Sequence, residues 1–149
     1  MSTPSIRRVS YAEILGAANA PRLIAEYAAE CSVPDYDPQA ETYAALERAG
    51  TLQCFGAYVE TDLVGFVSVL TTRMPHNGKR VATVESLFVD RASRGSGAAN
   101  ALLRVVEDYA SERECVAITR TARIASRLDT VLSHRPNCLL THRVYTTWL

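Results

Sequence analysis

The stretch VDRASRGSGA, residues 89–98, decides how the chain is read. Ahead of it runs VATVESLF (81–88), apolar at most positions and rich in β-branched residues. After it, residues 100–110 place Leu102, Val105, Val106 and Tyr109 on one helical face. The segment is therefore a strand-to-helix junction carrying two glycines, two serines and two arginines. A helix N-terminus leaves four backbone N–H groups without intrahelical partners, and the helix dipole adds positive charge there. Gly95 and Gly97 allow close approach because no Cβ intervenes, and Arg94 can add a charge-assisted contact. Together these groups suit a phosphate. An isolated G-x-G is more often a surface turn beside a solvated arginine, so the surrounding elements have to arbitrate.

Upstream, SIRRV (5–9) reads as a short strand, and Ser10 with Glu13 has capping-box spacing. The following helix is interrupted or restarted at Pro21 and keeps an apolar stripe to about Glu30. Residues 31–39 form a loop, in which Asp37-Pro38 reads as an N-cap and first helical residue, with Gly50 as the stop. Three β-rich runs then follow, 51–60, 62–72 and 80–90, joined by a hairpin turn at Glu60-Thr61-Asp62 and by the longer loop MPHNGK. Downstream of the junction helix, CVAITRT (115–121) reads as a strand, 123–134 as a helix and CLLTHRVYTTW (138–148) as a last strand. The expected fold class is α/β, with a mixed, mostly antiparallel sheet and helices on both faces. An antiparallel meander feeding one crossover helix excludes a doubly wound parallel sheet.

Length and composition fit one domain over residues 1–149. Sixteen basic residues balance sixteen acidic ones, which disfavours nucleic acid or an anionic membrane as a partner and makes any anion site local. Cys31, Cys54, Cys115 and Cys138 form no C-x-x-C pair and read as thiols, so no metal is expected. The N-terminus lacks a signal-peptide core, and no run approaches the about 20 apolar residues of a membrane span. A cytoplasmic protein is expected.

Three phosphate ligands compete for the junction. A Walker A loop needs Lys after its last glycine, and none follows Gly97. A dinucleotide fingerprint needs a third glycine where Asn100 stands, with several βα units behind it. The third option rests on R-x-x-G-x-A from Arg94 to Ala99, with ESLFVD (85–90) three residues ahead of it. This pattern resembles the acyl-CoA diphosphate loop of the GCN5-related N-acetyltransferase (GNAT) superfamily. The likeness runs well from Thr51 to Thr121, loosely over the N-terminal helices and poorly at the C-terminus.

The resemblance implies a GNAT fold, acetyl-CoA (or CoA) as cosubstrate without a metal, and an amine acceptor, with a homodimer allowed. It implies that the main chains of Leu87, Phe88 and Val89 pair with the pantetheine arm. One strand N–H there would stabilise the thioester oxyanion. Arg94, Gly95, Ser96, Gly97, Ala98, Ala99 and Asn100 would hold the diphosphate. Glu85 stands out by itself as a carboxylate in an apolar strand, which should be partnered or functional; partial burial would suit it to accept a proton. Family members place a base there, acting through water; the competing reading is a structural glutamate paired with an arginine or at the sheet edge.

The C-terminal part departs from the family. Where members carry an asparagine and a thiolate-protonating tyrosine, spacing puts Ala122 and Asp129; Tyr145, Ser126 and His134 are substitutes for the acid. Residues 33–39 and 73–79 are the expected rims of the acceptor cleft, with Asp35, Asp37 and His76 as polar candidates. Two functions therefore stand: an N-acetyltransferase using direct amine attack, and a non-catalytic acyl-CoA-binding or protein-interaction module on the same scaffold.

Overall fold

A capping box at Ser10 turns the first strand into the first helix. Ser10 Oγ accepts from the Glu13 N–H at 3.1 Å, while Glu13 Oε2 accepts from the Ser10 N–H at 2.7 Å. The computed structural model of the protein describes residues 2–31 and 33–149; Met1 and Ser32, the latter in the loop expected over 31–39, lie outside the described residues. In chain order the elements are β1 (Ser5–Val9), α1 (Tyr11–Gly16), α2 (Ala20–Cys31), α3 (Ala40–Arg48), β2 (Leu52–Val59), β3 (Asp62–Arg73), β4 (Arg80–Val89), α4 (Ala98–Glu112), β5 (Cys115–Thr119) and α5 (Arg127–Ser133). A single 3₁₀ turn, Arg91–Ser93, links β4 to the glycine loop.

The strands lie in the order β1-β2-β3-β4-β5. The first four pair antiparallel, and β4 with β5 pairs parallel through the α4 crossover. The expected mixed sheet and its meander are thus present. On one face, α4 lays Leu102, Val106 and Tyr109 against Phe55, Val67, Val69, Ala82 and Val84. On the other, Tyr11, Ile14 and Leu23 from α1 and α2 cover Cys54, Leu63, Phe66 and Phe88. Leu23 and Leu102 are wholly buried, a gain of roughly 1.5–3 kcal/mol for each side chain. Because both faces are covered, the middle of β3 is buried residue after residue, from Leu63 to Val69, with no alternation.

Two expectations are corrected. Asp37 is not a helix cap: α3 starts three residues later, behind Gln39, whose side chain makes no cap bond and instead donates to Asp37 Oδ2 at 2.9 Å. The Asp37–Gln39 contact closes the loop past the proline at 38 before the helix begins. The last strand, 138–148, is also absent. Cys138 makes the final backbone hydrogen bond of the described chain outside regular elements, and Leu139, Leu140, Val144, Tyr145 and Trp148 stand exposed in an extended tail. A strand requires a partner, and no neighbouring strand meets this segment, so its β-rich composition is not realised.

Candidate active site

Parallel pairing between β4 and β5 is short. It runs from Arg80 opposite Cys115 to Thr83 opposite Thr119 and stops there. Beyond Thr83, the edge of β4 that faces β5 has no strand partner, while the other edge stays bonded to β3 as far as Val89 opposite Gly65. The Asp90 N–H donates to Val64 O at 2.9 Å on the β3 side. Since successive peptide groups alternate, Leu87 and Val89 direct their backbone groups into the open edge and Phe88 directs its own toward β3. Of the three main chains expected to line the cleft, two therefore face it. Gly65 holds this geometry by close approach: a Cβ there would lie 2.8 Å from the Phe88 carbonyl oxygen.

At the mouth of the open edge, the chain turns through the glycine loop into α4. Gly95 and Gly97 adopt φ of +96° and +91°, a left-handed conformation that L side chains rarely take. Open space surrounds both positions where a Cβ would point. Gly97 is the N-cap and brings no side chain, and the first intrahelical bond is donated by Ala101 to Gly97 O at 3.0 Å. The preceding N–H groups of Ala98, Ala99 and Asn100 have no intrahelical partner at this end of α4; Ala98 alone reaches a side chain, Ser96 Oγ at 3.4 Å. The residues present fit a diphosphate.

Arg94 is less available than expected. Its Nη2 donates to both oxygens of Glu30 at 2.9 Å, its Nε donates to Val89 O at 3.0 Å, and its guanidinium lies over the Phe88 ring. Arg91 also binds Glu30. Burial pushes the Glu30 carboxyl up, but these arginine hydrogen bonds outweigh it and hold the group below its ordinary range. Beside them, Asp90 accepts two bonds from Arg22 at 3.0 Å and one from the Ala92 N–H. The Arg22 hydrogen bonds keep Asp90 below the usual carboxylate range against the opposing effect of burial. Three arginine–carboxylate pairs, Arg22–Asp90, Arg94–Glu30 and Arg91–Glu30, therefore tie α2 to the turn that shapes the glycine loop.

Glu85 sits where the β4 ladder slips. Ser68 pairs with Ser86 and Val69 with Val84, so Glu85 is an extra residue in the strand. A bulge re-aims a side chain. Glu85 emerges exposed rather than partly buried, on the side of α1 and α3. Its Oε1 accepts from Tyr43 Oη at 3.0 Å and its Oε2 accepts from Ser68 Oγ at 2.5 Å, with Ser68 in turn bonded to Ser86. The alternative of an arginine partner fails: among the described residues Glu85 joins no ion pair.

This architecture is matched by sequence. The model of the acetyltransferase (GNAT) family aligns with residues 20–127. The chain belongs to the GNAT family. A streptothricin acetyltransferase of Escherichia coli is 28% identical over 87 residues, 58% of this chain and 42% of that protein, so the match spans under half of the relative. Among solved structures, a ribosomal-protein-alanine N-acetyltransferase from Brucella melitensis biovar Abortus 2308 superposes with TM-score 0.75 at 24% identity, covering 99% of this chain and 100% of that one. An aminoglycoside acetyltransferase from an uncultured soil metagenomic sample, in complex with sisomicin, gives 0.74 at 19%, with 97% of each chain covered. At these identities the structural likeness establishes the fold.

The C-terminal departures from the GNAT pattern have local explanations. Asp129 accepts from the Ala125 N–H at 2.9 Å while its own N–H donates to Ser126 Oγ at 3.1 Å. Ser126 and Asp129 thus cap α5 together. His134 closes the other end of α5, with Nδ1 2.8 Å from Thr130 O, and Tyr145 is 87% exposed in the tail. None of these three candidates approaches the β4 edge by a recorded hydrogen bond. His76, Asp35 and Asp37 are exposed loop residues.

Sequence reasoning missed Tyr43 and Ser68, which hold Glu85, and Glu30, which holds Arg94. Spacing offered no signal for them, because three different segments deliver them.

Proposed function

We propose that this GNAT chain is an N-acetyltransferase that uses acetyl-CoA and a primary amine. The observation that carries the reading is the junction itself: the unpaired β4 edge opens directly onto the uncapped N-terminus of α4. Leu87 offers its backbone N–H and C=O to an extended pantetheine arm and Val89 its N–H, the Val89 carbonyl already accepting from Arg94, and the N–H groups of Ala98, Ala99 and Asn100 offer donors to the diphosphate. When bound, the thioester supplies an activated acetyl group, whose C–S bond breaks as a new C–N bond forms to the amine. A β4 N–H in the open edge stabilises charge developing on the carbonyl oxygen. Glu85, oriented by Tyr43 and Ser68, takes the ammonium proton directly or through water, leaving a neutral nucleophile. Alignment of two reactants does most of the work, so no cysteine is needed.

A non-catalytic acyl-CoA-binding module is the second reading. It is favoured by one observation: Asp129, at the position of the family's acid, is spent as a helix cap. Two measurements separate the possibilities. Acetyl-CoA at ~100 times its dissociation constant should add roughly 2.7 kcal/mol of stability, more than adenosine does. Absence of any shift removes the cofactor assignment. An acceptor screen that follows release of the CoA thiol then separates an enzyme from a binding module.

A further inference from the structure

Two serines lie where apolar residues would be expected. Ser68 stands in the buried run of β3, between Phe66 and Leu70 on the face that α1 and α2 cover, and is 1% exposed. Ser86 of β4 pairs with it across the ladder and is 5% exposed. Their hydroxyl oxygens are 2.5 Å apart, and Ser68 Oγ lies at the same distance from Glu85 Oε2. A hydroxyl taken out of water without a partner is destabilising, so two of them inside the sheet call for a physical reason.

Proton counting gives the chain of bonds a direction. An ionised carboxylate only accepts, so Ser68 gives its single O–H proton to the bond with Glu85. None is left for Ser86, which therefore donates to Ser68. Hydrogen bonds aligned head to tail polarise one another, and here both point at Glu85 Oε2. The chain ends in the core while Glu85 itself is exposed, so a proton taken up by Glu85 leaves to water and the serines conduct none. Their part is to hold the carboxylate. The other oxygen of Glu85 accepts from Tyr43 at 3.0 Å, but that bond is exposed, and Tyr43 comes from α3, in which no residue is buried. Water competes for the Tyr43 bond and is kept from the Ser68–Ser86 pair.

We infer that Ser68, braced by Ser86, is the positioning residue that fixes the Glu85 carboxylate for proton transfer. The inference rests on the acetyltransferase reading given above, in which Glu85 takes the ammonium proton. A bond from the middle of the sheet sets one oxygen in place and leaves the remaining lone pairs for the ammonium or its water. Misplacing a reacting group by about 1 Å costs on the order of 10²-fold in rate, which is the scale of the expected effect.

The test uses two small acceptors at equal acetyl-CoA, with release of the CoA thiol as the readout. Methylamine is protonated at neutral pH and needs a base; hydroxylamine is largely neutral there and does not. Methylammonium gives one proton to Glu85, its nitrogen bonds to the acetyl carbon as the C–S bond breaks, and a second N–H proton leaves on the CoA thiol. Ser68→Ala should lower the ratio of kcat/KM for methylamine to that for hydroxylamine about ten- to a hundredfold. Tyr43→Phe should lower that ratio less. Ser68→Ala orphans the Ser86 hydroxyl, so adding Ser86→Ala should restore melting temperature without restoring the ratio, whereas a folding defect would recover both together. In a Glu85→Gln background, Ser68→Ala should lower the methylamine rate by less than about twofold, because it acts through Glu85. An unchanged ratio in Ser68→Ala beside an impaired Glu85→Gln would overturn the inference and leave Glu85 as the base. A larger loss in Tyr43→Phe would overturn it by moving the anchor to α3. Full methylamine turnover in Glu85→Gln, or no thiol release from the parent protein with either amine, would overturn the acetyltransferase reading and the inference with it.

Discussion

Glu85 shows what a single residue reveals in sequence and what it conceals. Its oddity was legible, since a carboxylate inside VATVESLFV breaks an apolar run. Its placement was not, because a bulge is a property of two paired strands: only the jump from Ser68↔Ser86 to Val69↔Val84 brings it to the surface. That placement sharpens the test of its role. An exposed side chain without an ion pair contributes little to folding, so Glu85→Gln should shift stability by less than about 0.5 kcal/mol, within the range of ordinary surface changes. If Glu85 accepts the ammonium proton, kcat should fall about 10²–10⁴-fold in the same preparation. Melting temperature and turnover measured side by side check both halves. A variant that keeps full turnover removes Glu85 from the chemistry.

At the scale of elements, α4 and its loop were the most legible part of the chain, because glycines, helical periodicity and a preceding apolar strand all pointed to one junction. The hidden part was how the loop is held. Asp90 and Glu30 pair with arginines that sequence separation made invisible: Arg22 lies 68 residues from Asp90, and Arg94 lies 64 from Glu30. Two predictions follow from this geometry. Gly97→Val would place a branched residue at φ +91°, where strain of about 1–3 kcal/mol adds to obstruction of the anion site. Both acetyl-CoA affinity and melting temperature should therefore fall. The second concerns acid. Asp90 is held below its unfolded range, so the folded state binds fewer protons there. Its contribution is fully present above the unfolded value, about 3.9, and is lost as pH falls through the lower folded value. Asp90→Asn should flatten the acid limb of a melting-temperature profile below about pH 4, and an unchanged limb would assign that limb to other carboxylates such as Glu107.

Across the whole molecule, the meander and the single parallel crossover followed from the order of runs, because each run had a neighbour close in sequence to pair with. The tail did not follow. Residues 138–148 carry the composition of a strand, yet composition cannot say whether an edge is present to receive it. Here β5 ends the sheet, with Val116 at its bulged, half-exposed edge, and the tail runs free of it. Leu139, Leu140, Val144, Tyr145 and Trp148 then form an apolar, solvent-facing segment that makes no hydrogen bond to the folded body among the described residues. The folded body instead ends at Arg135, whose side chain binds Glu107 of α4 at 2.8 Å and 2.9 Å. Removing residues 139–149 should therefore leave the melting free energy within about 0.5 kcal/mol of the parent, as expected for a surface change. It should also lower fluorescence of a dye that reports exposed apolar surface, such as ANS. A loss of several kcal/mol instead would mean that the tail packs against the body in solution, with the open edge of β5 as the surface that receives it.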